Sequence, residues 1–102
     1  MSVLNITKEN FEQEVVKSEK VVLLDFFASW CNPCRMVSPI IDEIAEENEE
    51  IRVCKVNVDE QSELASQFQV YSIPTRVVMQ DGKVLKQATG AKTKAQILAM
   101  LP

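Results

Sequence analysis

Cys31 and Cys34 carry the chemistry that stands out in this sequence. Two thiols held two residues apart, in Trp30-Cys31-Asn32-Pro33-Cys34, are able to close into a small disulfide ring and to open again. The apolar run Val21-Val22-Leu23-Leu24-Asp25-Phe26-Phe27-Ala28 precedes them, and the helical-period set Met36, Val37, Ile40, Ile41 and Ile44 follows. A strand therefore delivers Cys31 to the N-terminus of a helix. Unpaired backbone N–H groups and the helix dipole favour an anion there, so the first thiol is expected to ionise below its free value of about 8.5. Cys34, one turn further in, is expected to be more shielded. Zinc is a poor alternative, since it takes about four ligands and the chain has no His and one further Cys. An iron-sulfur cluster would need thiolates shared between two chains.

Asp25 is the second residue whose type invites a chemical role, because it interrupts a strand that is otherwise apolar. A carboxylate inside a buried strand costs several kcal/mol unless it is paired or neutralised. Desolvation should raise its pKa, which suits a group that passes a proton to or from Cys34. The bland alternative is a strand-end carboxylate reaching water. Lys55 is the natural partner. On the alternating segment Ile51 to Val58, Val53, Lys55 and Asn57 share one face, and Cys54, Val56 and Val58 the other. The competing reading of Lys55 is a side chain that snorkels to solvent. Trp30, the only tryptophan, abuts the thiols and is expected to form an apolar rim where substrate docks rather than a core contact. Cys54 reads as a small buried hydrophobe.

The elements that must position these residues alternate along the chain. Val3 to Ile6 is expected to be a short strand, with Thr7 capping a helix that presents Phe11, Val15 and Val16. Val21 to Ala28 is the strong strand, apolar at nearly every position and so buried on both faces, as in the middle of a parallel sheet. A helix is expected from near Cys34 to about Asn48, with Pro39 inside it removing one backbone donor. Ile51 to Val58 is a second buried strand, and Asp59 is expected to cap a short helix carrying Leu64, Ala65 and Phe68. Thr75 to Gln80 and Lys83 to Thr89 flank Asp81-Gly82, a dipeptide that turns antiparallel hairpins. A last helix follows Gly90, with Thr93 and Gln96 as a capping-box pair and Ile97, Leu98 and Leu101 on its apolar face. The expected order is β-α-β-α-β-α-β-β-α, a central mixed sheet flanked by helices.

Composition bounds the remainder. At 102 residues the chain fits one domain, residues 1–102, and folding buries roughly two-thirds of the unfolded surface. With 46% hydrophobic and 25% charged residues it is ordinary globular material, and 2 Gly and 4 Pro leave little for a linker. Eleven basic against fifteen acidic residues give a net charge of −4, and no stretch concentrates Lys and Arg, which argues against nucleic acid as a partner. The N-terminus lacks a charged segment followed by an apolar one, and no 18-residue apolar run occurs, so a soluble, cytoplasmic protein is expected, with no membrane partner. Three cysteines rule out a framework of several bridges and suit a reducing compartment with one working pair. The acidic run Glu46 to Glu50 reads as a solvated helix end.

Five features together resemble the thioredoxin family over essentially the whole length: Asp25-Phe26, Trp30-Cys31-x-Pro33-Cys34, Pro39, Ser72-Ile73-Pro74-Thr75, and the glycines Gly82 and Gly90. The resemblance implies the thioredoxin fold, a cis peptide before Pro74, and reduction of protein disulfides by a reversible Cys31-Cys34 dithiol/disulfide. It implies Cys31, Cys34, Asp25 and Lys55 as catalytic residues, with Trp30, Asn32, Pro33, Ile73, Pro74, Thr75 and Gly90 contacting substrate. No bound cofactor is implied. Recycling falls to a thioredoxin reductase, flavin-dependent and drawing on NADPH, or to a ferredoxin-linked one, and the chain is expected to be a monomer. Asn32, where the family most often has glycine, and Arg76, where it usually has an aliphatic residue, depart from the pattern. Two other readings stay open: a thiol oxidase or isomerase on the same fold, and a non-redox docking module using the Trp30, Ile73 and Pro74 surface.

Overall fold

The computed structural model describes residues 3–102. Its centre is a five-stranded sheet in the order β1-β3-β2-β4-β5. Strands β1 (Leu4–Asn5), β2 (Val21–Phe27) and β3 (Ile51–Asn57) run parallel, and β4 (Thr75–Gln80) and β5 (Lys83–Thr89) add antiparallel to the β2 edge. β2 lies between β3 and β4 with a packed layer on each face, which explains why it is apolar at every position but Asp25.

Alternation along the strands sorts the core into two layers. Val22, Leu24 and Phe26 of β2, Cys54 and Val56 of β3, and Val77 and Met79 of β4 pack on one face with Val15, Leu64 and Ala65. Leu23, Val53 and Val78 face the other way, against Val37, Ile41 and Ile44 of helix α1 (Asn32–Glu47) and Ile97 of helix α3 (Lys94–Leu98). Each fully buried Leu, Ile or Phe contributes roughly 1.5–3 kcal/mol, so these two layers dominate the stability. By the same alternation Asp25, two residues after Leu23, points toward the α1 layer.

Two expected caps are not where the spacing placed them. Thr7 does not begin a helix; its hydroxyl accepts from the Glu9 N–H at 3.3 Å within a turn, and the helical segment is a single π-type turn, Glu12–Val16, with Val15 buried. Asp59 does not cap helix α2 (Ser62–Gln67). Its neighbour Asn57 holds that turn, with Oδ1 accepting from the N–H groups of Asp59 (2.9 Å) and Glu60 (3.3 Å), which frees the Asp59 carboxylate for Trp30. The hairpin and the last helix form as expected. Asp81 and Gly82 both adopt positive φ (53° and 76°), as a two-residue hairpin turn requires. Thr93 and Gln96 close a full capping box.

Candidate functional site

The end of β2 and the start of α1 build the thiol pair. Cys31 occupies the cap position of α1 in extended conformation, and its sulfur accepts the Cys34 N–H at 3.2 Å, one of the donors a helix start leaves unsatisfied. Pro33 sits in the first turn of the helix, where its missing N–H costs nothing. The helix therefore begins at Asn32, two residues before the expected start. Cys31 and Cys34 are joined as a disulfide with their Cα atoms 5.3 Å apart, and both residues are buried.

The two sulfurs serve different hollows. Cys31 lines an open groove of about 510 Å³ with Trp30, Asn32, Pro33, Val58, Val70, Tyr71, Ser72 and Ile73. Cys34 lines a smaller cleft, about 160 Å³, on the α1 side of the sheet, together with Asp25, Lys55, Arg35, Ser38 and Asp42. Trp30 is 66% exposed and Tyr71 85%, so the groove has an aromatic rim that no core packing accounts for. The Trp30 indole N–H donates to Asp59 Oδ2 at 2.8 Å, which fixes the ring beside the thiols. The Ile73–Pro74 bond is cis, and the Ile73 carbonyl oxygen stands 3.9 Å from the Cys31 sulfur.

Thr75 and Gly90 stand behind this groove rather than in its lining. The buried Thr75 hydroxyl bonds the Ser72 carbonyl (2.7 Å) and lies 3.0 Å from the Thr89 hydroxyl. The Gly90 N–H donates to the Pro74 carbonyl at 2.7 Å. Both residues thus brace the turn that carries Ile73 and Pro74.

Asp25 is 4% exposed, and its Oδ1 has no hydrogen-bond partner among the described residues. Burial pushes the carboxyl up to about 7 from an ordinary value of 3.8, against the pull first of Arg76 and then of Lys55. Lys55 lies opposite Asp25 in the β2–β3 register but makes no direct ion pair with it; its side chain is exposed, with the ammonium 5.9 Å from the centre of the Phe27 ring. Its influence on Asp25 is a field across solvent-accessible space. Cys54, fully buried in the other layer, has its thiol pushed up to about 12 by burial.

Sequence reasoning placed neither Tyr71 nor Asp59 at the site, because loop residues carry no periodic signal. The cleft residues Ser38 and Asp42 had one: they follow Cys34 at intervals of four, one face of α1.

The thioredoxin family model matches residues 2–102. This chain belongs to the thioredoxin family. It is 46% identical over 94 residues to a thioredoxin of Streptomyces clavuligerus, covering 92% of this chain and 88% of that one. Against a thioredoxin of Pseudomonas aeruginosa it is 39% identical over 100 residues, 97% and 93% of the two chains. It also matches, at 45% over 96 residues, 93% of this chain and 21% of a bifunctional thioredoxin reductase/thioredoxin of Mycobacterium leprae. As a thioredoxin it is a thiol-disulfide oxidoreductase whose working group is the Cys31–Cys34 pair, an enzyme of a family that uses no cofactor, acts on disulfide substrates and is recycled by thioredoxin reductase. Among the described residues no helix is long and apolar enough to cross a membrane.

Proposed function

We propose that this thioredoxin works as a monomeric cytoplasmic reductant of protein disulfides, with Cys31 as attacking thiol, Cys34 as resolving thiol and Asp25 as the acid-base group between Cys34 and solvent. The division of the two sulfurs between two hollows carries this reading. The groove admits a substrate segment to Cys31, while the cleft gives Cys34 a titrating carboxyl. In the reduced protein the helix N-terminus favours the Cys31 thiolate. That thiolate attacks one sulfur of the substrate disulfide, forming a mixed disulfide and expelling the other sulfur as thiolate. Asp25 then takes the Cys34 proton, the Cys34–Cys31 bond forms, and the Cys31–substrate bond breaks, leaving the substrate as a dithiol and the enzyme as a disulfide. Asn32, Pro33, Trp30 and Ile73 bound the entry to Cys31, and the half-buried Ile73, held by the cis bond to the buried Pro74, offers its backbone to an extended segment. Thr75 and Gly90 position that turn. Lys55 keeps the mouth of the Asp25 cleft positive.

Two electrons from a reductase, in this reading a flavin enzyme drawing on NADPH, restore the dithiol, and the match of 93% of this chain to part of a bifunctional thioredoxin reductase/thioredoxin supports a thioredoxin reductase as that partner. Replacing Cys34 by Ser should trap the mixed disulfide with a disulfide-bonded protein, a covalent adduct seen by mass and released by dithiothreitol. Cys31→Ser should trap none. Adducts on Cys34 in the Cys31→Ser protein, at the same rate, would reverse the assignment.

A further inference from the structure

Arg76 is the largest side chain wholly enclosed in this molecule, at 0% exposure, and it stands in a strand whose next three residues are Val77, Val78 and Met79. A guanidinium keeps its charge in any protein environment, and enclosing it costs several kcal/mol unless an anion and acceptors face it. One acceptor is plain: an Arg76 terminal N–H donates to the Gly90 carbonyl. Its Nε and other terminal nitrogen have no hydrogen-bond partner among the described residues, and neither has Asp25 Oδ1.

Asp25 and Arg76 are directly opposed in the β2–β4 register. Leu23 and Val78, opposed two residues away, both belong to the α1-side layer, so alternation sends Asp25 and Arg76 to that same layer. Directly opposed side chains on one face of an antiparallel pair are neighbours. The other charged or titratable groups facing the Asp25 cleft are Lys55 from β3 and Cys34, Arg35 and Asp42 from α1. Lys55, Arg35 and Asp42 are exposed, and water screens them. Arg76 has no such screen.

We infer that Arg76 is a positioning residue for the dithiol chemistry, a buried cation set directly across the strand pair from Asp25 that favours its carboxylate form without a direct ion pair, and that is itself anchored through the Gly90 carbonyl beside the turn bearing Pro74. An aliphatic residue at this position would leave Lys55 as the nearest cation on the neighbouring strands and Asp25 more reluctant to give up its proton. The stronger pull of Arg76 than of Lys55 on the Asp25 carboxyl agrees with this. The consequence for turnover rests on the proposed role of Asp25; the charge coupling itself does not.

The test titrates the Asp25 carboxyl directly, by carbon-detected NMR on the full chain, in wild type, Arg76→Gln, Arg76→Met and Arg76→Lys. Gln keeps an amide able to donate toward Gly90 but loses the charge, whereas Lys keeps the charge and loses the fork. The expected result is a midpoint raised by roughly 1 pH unit in the Gln and Met proteins, the low end of what a close opposite charge does, and near wild type in the Lys protein. The pH profile for resolving the mixed disulfide should move with it. Should Met fail to fold, the Gln and Lys pair decides alone. An Asp25 midpoint unmoved by Arg76→Gln would overturn the inference and leave Arg76 as an anchor for Gly90. A raised midpoint with an unmoved rate profile would instead contradict the role of Asp25, and with it the effect of Arg76 on turnover.

Discussion

Cys31 and Cys34 are one helical turn apart, 5.3 Å between Cα atoms, yet they line different hollows of the protein. That separation gives two chemically similar thiols two jobs. Cys31, at the capping position of α1, meets the open groove and the field of the helix start. Cys34 meets a cleft whose carboxyl titrates near the pH at which a proton must leave it.

Asp25 should make the protein less stable as pH rises. Its folded pKa of about 7 stands above the ordinary 3.8, so between those values the folded chain keeps a proton that the unfolded chain has lost. Stability therefore falls from about pH 4 to about pH 7 and is flat with respect to this group above it. Asp25→Asn removes the titration, and the variant should exceed wild type by on the order of 4 kcal/mol at about pH 8, with the gap closing toward about pH 4. Urea unfolding at several pH values checks this, and a gap independent of pH would contradict it. The same variant should resolve mixed disulfides roughly 100-fold more slowly, as loss of a general base implies.

Asp59 should matter to substrate rather than to the fold. Its carboxylate holds the exposed Trp30 indole from a surface position, so Asp59→Ala should cost less than about 1 kcal/mol of stability. Freed of that bond, the ring no longer presents one rim to the groove, and KM for a protein disulfide should rise several-fold with kcat nearly kept. A kcat loss with unchanged KM would place Trp30 in the chemistry instead.

Cys54 should be silent in the native protein. Its thiol is enclosed and pushed up to about 12, so both access and thiolate are lacking. Iodoacetamide on the reduced native chain should modify Cys31 rapidly and Cys54 only after denaturant is added. Native labelling of Cys54 at a rate comparable to Cys31 would show an opening that the fold does not contain.

Strong periodicity made most of this fold legible. The apolar run of β2, interrupted only by Asp25, announced a central strand; the alternation of β3 marked Lys55 as the partner of Asp25, and the register sets the two opposite each other without an ion pair; Asp81-Gly82 marked the hairpin. Short polar turns were less readable, since Thr7 and Asp59 have the chemistry of caps but sit inside turns closed by other side chains: Asn10 Oδ1 accepts the Thr7 N–H, and Asn57 Oδ1 accepts the N–H groups of Asp59 and Glu60. Of the site, the thiols and the acid were visible because a charge in a buried strand and a close thiol pair are both costly or reactive without a purpose. Arg76 was visible as an oddity only. Its partner lies 51 positions earlier in the chain, and nothing short of the β2–β4 register brings the two together.

Whether Cys31 and Cys34 work as a reducing couple is read by an equilibrium titration against dithiothreitol and glutathione buffers, followed by Trp30 fluorescence and alkylation mass. A reductant of protein disulfides should show one two-electron transition below the cytosolic glutathione poise of roughly −220 to −260 mV. A midpoint near −180 mV or above, the roughly isomerase-like range, would make the protein an oxidant or isomerase; a pair that does not cycle would contradict the dithiol mechanism altogether.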